Sequence, residues 1–242
     1  MRSVPAAFPF SVLIRCLTAA ALAIVLPARA QLAEDTAKQA AQEVRLLVTE
    51  GTAVIGDLQP AINSGKVVKE QATPDALVTQ FKARYQKAAG APFDPKAAGV
   101  LGDARRAYLQ AFTSVVTRFQ SNITKGGQDA FVPAFFRAQV LADFNKQMTG
   151  KVQAYATNRD NELINGDWAV TKVMKGSPLA GEVSGLMKTG GLDPVVKRSG
   201  NTVMGYYPMK LGAACVACHA QNGLKQKEGE FGGALVAEIP VK

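Results

Sequence analysis

The chain of 242 residues is poor in the side chains that usually build catalytic and metal sites: it has one histidine, three cysteines and one tryptophan. A single histidine excludes a multi-histidine metal site, a facial triad and two histidines on one iron. Three cysteines exclude a disulfide-dense scaffold. No apolar run approaches the ~20 residues that cross a bilayer as a helix. Internal repeats, a phosphate-cradling glycine loop and a Ser/His/Asp arrangement are also missing. Charged residues make up 19% of the chain and hydrophobic residues 48%, which is the balance of a chain that folds around a core.

The amino terminus has the layout of an address. Arg2 and Arg15 precede an almost wholly apolar stretch, Cys16 to Pro27. Ala28-Arg29-Ala30 then offers a small-x-small cleavage site before the polar sequence that opens at Gln31. This pattern predicts a secretory signal peptide over residues 1–30 and a single mature domain over 31–242. Removing 30 residues that include three arginines and no acid leaves 212 and lowers the formal charge from +9 to +6. Cys16 leaves as well. All remaining cysteine and histidine then lies in Cys215-Val216-Ala217-Cys218-His219. The expected location is the periplasm, with no stable membrane insertion after cleavage.

Helical spacing of apolar residues runs from Leu32 to Ile55 through Ala37, Ala41, Val44, Leu47 and Val48, with Glu34 four residues before Lys38. Pro60 and Gly65 are expected to interrupt it. Thr73-Pro74 is a helix start, and Leu77, Val78, Phe81 and Tyr85 form the stripe behind it. Leu109, Phe112, Val115, Val116 and Phe119 mark a third helix. Asp129 to Met148 carries a fourth, with Phe135, Phe136, Val140, Leu141 and Phe144 on its apolar side. After this mainly helical part, 31–148, the character changes. Residues 152–156 alternate with a period of two, residues 158–168 are turn-rich, and a short helix is expected up to Met174. Val195 to Met209 reads as a β-hairpin about Ser199-Gly200-Asn201, and Ala234 to Val241 reads as a last strand. Helices first and strands later predict an α+β fold, with the sheet and the cysteine motif in 149–242.

Cys-x-x-Cys-His is the attachment signature of c-type haem. The two-residue spacer lets both sulfurs reach the vinyl groups on one edge of a porphyrin, and the next residue, His219, falls beneath the iron as an axial ligand. Two rivals fit less well. A thioredoxin-like redox pair belongs in a βαβ context, and this motif lies late in the chain. A structural zinc site takes four ligands, and the mature chain offers three Cys/His here. For the sixth iron position neither histidine nor cysteine remains. The candidates are Met148, Met174, Met187, Met204 and Met209. Met209 is nearest the motif, and the alternatives to it are an open position or one held by water or a weak ligand.

The last third of the chain resembles a family of secreted haem c-binding domains, long catalogued as a domain of unknown function. The resemblance rests on Tyr207-Pro208-Met209, on Ala214 to His219, on Gly229-Glu230-Phe231-Gly232-Gly233-Ala234, and upstream on Arg159, Asn161, Asn165 and Trp168. It implies amino-terminal helices packed with a PAS-like antiparallel sheet, one covalent haem c, and a redox or sensing role. Two departures stand out. Some members carry an axial cysteine after an Ala-Ile pair, where this chain has Ala61-Ile62-Asn63-Ser64-Gly65. Many have glycine after the histidine, where this chain has Ala220.

Tyr206, Tyr207, Trp168 and Phe231 are candidates to line the haem, and Arg159, Arg198 and Lys210 to meet its propionates. The +6 charge is spread thinly, without a nucleic-acid footprint, and suits steering toward an acidic redox partner. A peroxidase-like enzyme wants a spare distal acid–base group, and no second histidine exists to supply it. A periplasmic monohaem electron carrier or redox sensor is therefore expected, and the alternative is a gas-binding haem sensor module.

Overall fold

The computed structural model describes residues 32–126, 133–157, 179–189, 192–213, 215–216, 220 and 225–242. Five α-helices and four strands occur among them: α1 (Glu34–Ser64), α2 (Pro74–Ala89), α3 (Gly99–Lys125), α4 (Pro133–Gln147), β1 (Gln153–Thr157), α5 (Ala180–Lys188), β2 (Val195–Ser199), β3 (Thr202–Lys210) and β4 (Phe231–Pro240). The strands form one antiparallel sheet in the order β1-β4-β3-β2. The α+β expectation holds. The proposed signal peptide, 1–30, and the turn-rich segment after β1 lie outside the described residues.

Helix α1 organises the molecule. Ala37, Ala41, Val44, Leu47, Val48, Val54 and Ile55 recur on its inner face and are buried. They share one apolar cluster with α2, α3, α4 and the odd-numbered positions of β3 and β4, Val203, Tyr207, Leu235, Ala237 and Ile239. The predicted Glu34–Lys38 pair forms at 2.6 Å. The expected break at Pro60 does not occur: α1 runs through it and ends at Gly65 in the left-handed conformation (φ 65°). Pro60 lies in the last turns of the helix and is exposed, so its missing N–H removes one backbone bond and no packing. Thr73 caps α2 as predicted, its Oγ1 accepting from the Ala76 N–H at 3.2 Å.

The other face of the sheet is covered by α5, which the apolar periodicity did not reveal. Leu179 and Val183 pack there on Met204, Tyr206, Phe231, Ala234 and Val236. Strand β4 begins at Phe231, before the expected Ala234, because Gly233 and Phe231 pair with Met209 and Lys210, and Gly232 is the extra residue at the register shift between them. The outer edge of β1 is closed by Asn145 of α4, which donates to the Ala154 carbonyl and accepts from the Ala154 N–H, both at 2.8 Å. That side chain blunts an otherwise open strand edge.

A buried charge network fastens α1, α2 and α3 together. Glu43 accepts from Arg105 Nε at 2.8 Å and Nη2 at 3.0 Å, and from the Tyr85 hydroxyl at 2.8 Å. Burial, with the Glu43 carboxylate beside it, pushes the Tyr85 phenol up to about 12. Removing one member of a buried network strands the others. Glu43→Ala is expected to lower the unfolding free energy by about 3 kcal/mol, read as a reduced urea midpoint at unchanged slope.

Candidate functional site

The cysteine motif leaves the sheet at one end, between β3 and β4. Past a register shift at Met209/Lys210, the two strands stay joined. The Leu211 N–H donates to the Glu230 carbonyl at 2.8 Å, and the Gly229 N–H to the Leu211 carbonyl at 2.9 Å. These bonds pinch the base of the loop that carries the motif. Leu211 is buried against Gly232, where a Cβ would come within 2.6 Å of its side chain. Beyond the pinch the Val216 N–H donates to the Gly212 carbonyl at 3.0 Å, so Cys215 sits on a helical turn. Its thiol is free and exposed. Cys218 and His219 lie outside the described residues, as do Arg159, Trp168 and Met174.

Strand alternation decides which side chains face the helices at this end. Tyr207 and Met209 point to α1 and α4, while Tyr206 points to α5. Tyr207 is buried, its ring lies 5.6 Å from the Arg45 guanidinium carbon, and its hydroxyl has no hydrogen-bond partner among the described residues. Burial raises its pKa. Tyr206 is likewise buried with an unpartnered hydroxyl, on the opposite face. Met204 and Met187 belong to that opposite face too, and Met148 is buried where α4 ends. Among the described methionines, Met209 is the one beside the motif.

Met209 is already engaged. Arg137 of α4 donates from Nη1 to its sulfur at 2.9 Å. The Nε of Arg137 is buried with no partner among the described residues. Burial lowers the Arg137 pKa to about 10, against the smaller opposing influences of Cys215 and Tyr108. The group therefore remains a cation at neutral pH. No ion pair joins it to a carboxylate among the described residues. Arg137 was not among the sequence candidates, yet a signal for it exists. It precedes Leu141, Phe144 and Met148 at intervals of four, seven and eleven, so it is a charged residue on the buried stripe of α4.

The sequence candidates for anion contacts fare differently. Arg198 pairs across from Val203, at the opposite end of β3, and donates to the carbonyls of Gly200 and Lys242. Seven residues of strand, roughly 23 Å, separate it from the motif end. It closes the carboxy-terminal edge of the fold instead. Lys210 is exposed at the start of the motif loop, and Phe231 packs on the α5 face. No described helix is long and apolar enough to cross a membrane. Comparison with family models, curated proteins and solved structures finds no match to this chain.

The position of β3 depends on Gly205. A Cβ there would lie 2.8 Å from the Tyr207 ring and 3.0 Å from the Cβ of Ala41. Gly205→Ala is expected to cost about 1–3 kcal/mol of stability, seen as a lower denaturant midpoint. A midpoint unchanged from wild type would show that α1 and β3 are not in close contact.

Proposed function

We propose that this chain is a periplasmic monohaem c-type protein that carries electrons or reports redox state. The observation that carries the reading is the setting of Cys-x-x-Cys-His. The motif occupies a loop pinned to the end of a packed sheet, with an exposed thiol at Cys215 and a buried, incompletely partnered guanidinium nearby. That donor set fits a covalently held group bearing carboxylates. Cys215 and Cys218 would hold the haem, His219 would ligate its iron, and Tyr207, with Trp168 and Arg159, would serve as further contacts. The resemblance to secreted haem c-binding domains with a PAS-like sheet supports the same reading. When bound, the haem supplies a one-electron couple. The protein's part is to exclude water, set the charge around that couple and present it to an acidic partner. The signal-peptide pattern supports it too, since haem of this type is attached outside the cytoplasm.

A second reading follows from Met209. Its sulfur accepts a hydrogen bond from a partly buried cation, which fixes the thioether and draws on its lone-pair density. This favours a sixth iron position without a strong protein ligand, the condition for a gas-binding sensor module.

Optical spectra of the protein purified from a host that attaches haem c test both readings. Covalent haem that resists acid–acetone extraction is expected in wild type, and extractable haem or none when Cys215 and Cys218 are both changed to serine. Absence of haem from wild type defeats the proposal. Carbon monoxide binding at once to the reduced protein supports the sensor, and a six-coordinate iron inert to carbon monoxide supports the electron carrier. Met209→Leu is expected to leave the oxidised spectrum unchanged. A methionine–iron charge-transfer band that disappears in Met209→Leu would instead make Met209 the ligand.

A further inference from the structure

We propose that Arg137 is a carboxylate-binding residue at the motif end of the sheet, and that the carboxylate it takes is a propionate of the haem. The proposal rests on the monohaem reading above and names a residue for it.

Four observations point the same way. First, the Nε of Arg137 is buried and has no hydrogen-bond partner among the described residues, so one edge of a planar donor fork is unused there. Second, Nη1 spends its donor on the sulfur of Met209 at 2.9 Å, a weak acceptor for a charged group. Third, no ion pair neutralises the guanidinium among the described residues, whereas the other arginine that reaches the core, Arg105, is held by both oxygens of Glu43. Fourth, the Met209 that Arg137 touches is the penultimate residue of β3, and the loop that carries Cys215 starts directly after that strand, so Arg137 stands at the end of the sheet where the tethered group would be held.

A cation removed from water without a counter-charge is costly. The cost is offset once a carboxylate arrives, because a guanidinium binds a carboxylate through two parallel N–H···O bonds. Met209 then acts as a positioning residue. It fixes one nitrogen of the fork and leaves the Nε edge for the ligand. Tyr108, buried on α3, has its pKa raised by burial and stays neutral, so it does not compete as an anion.

The experiment compares haem-loaded wild type with Arg137→Gln and Arg137→Lys. Glutamine keeps a buried donor and removes the charge, and lysine keeps the charge. A positive charge near the haem favours the reduced form. At a fixed solution poise, Arg137→Gln is expected to shift the reduced-to-oxidised ratio about tenfold toward oxidised, equivalent to ~59 mV for a one-electron couple. Arg137→Lys is expected to recover most of that shift. The propionate bending mode in the resonance Raman spectrum should move in Arg137→Gln and stay in place in Arg118→Gln, whose arginine pairs with Asp143 at 2.6 Å. A purely structural role for Arg137 would leave that mode unmoved. Wild type with covalent haem but an unshifted ratio and an unmoved mode in Arg137→Gln overturns this proposal alone. Wild type without haem overturns it together with the reading on which it rests.

Discussion

The close contact of α1 with β3 at Ala41 and Gly205 is the constraint from which the rest of the arrangement follows. A helix lies this near a strand only where both surfaces are small, and here the pairing is alanine on glycine. Once β3 is held there, its alternation fixes what comes next on the same face. Tyr207 falls beneath Arg45 of α1, and Met209 beneath Arg137 of α4. Three successive odd positions thus lead from the centre of the helical layer to the end of the sheet. The loop that bears Cys215 begins immediately beyond them. The site is therefore positioned by the core of the fold, through a strand gripped from one side by two helices.

Two partly buried arginines show how differently one charge can be treated. Arg105 meets a carboxylate with two of its nitrogens, and a phenol completes the network. That network offsets its own desolvation and joins three helices. Arg137 meets a thioether, leaves one nitrogen unpartnered, and has its pKa drawn down by burial. Within a protein interior the second arrangement is unfavourable by itself. Groups in that condition cluster at functional sites more than elsewhere.

Much of the architecture was legible because its signals are local. The stripes of α1 to α4, the Thr73 cap and the hairpin about Gly200 are periodicities and turn chemistry that need no tertiary context. The misreadings arose where packing overrides local rules. Pro60 is tolerated near the end of a helix whose stability comes from its buried face. The expected last strand begins only at Ala234, yet Phe231 to Gly233 belong to β4, and at Gly232 the Leu211 side chain fills the space that a side chain would need. Helix α5 is short, and its apolar face exists only in relation to the sheet beneath it. For the site, the motif itself was plain, since residue types so scarce elsewhere are concentrated there. Arg137 was not, because a single charged residue within an apolar stripe gives no hint of what it faces.

Arg198 makes the same point from the opposite direction. In sequence it stands only 17 residues before Cys215, and its charge is right. The antiparallel register sends it to the far end of β3, where it ties the chain's last carbonyl to the hairpin. Arg137, more than seventy residues before the motif, is carried to Met209 because α4 crosses the sheet face at that end. Sequence distance and spatial distance are inverted for these two arginines by one fact of topology: a hairpin returns its partner strand to the start, while a helix packed across the sheet can reach either end. For a loop that follows the end of a strand, the charged residue that governs it is therefore to be sought on the helix covering that end, on the stripe where burial would normally forbid it.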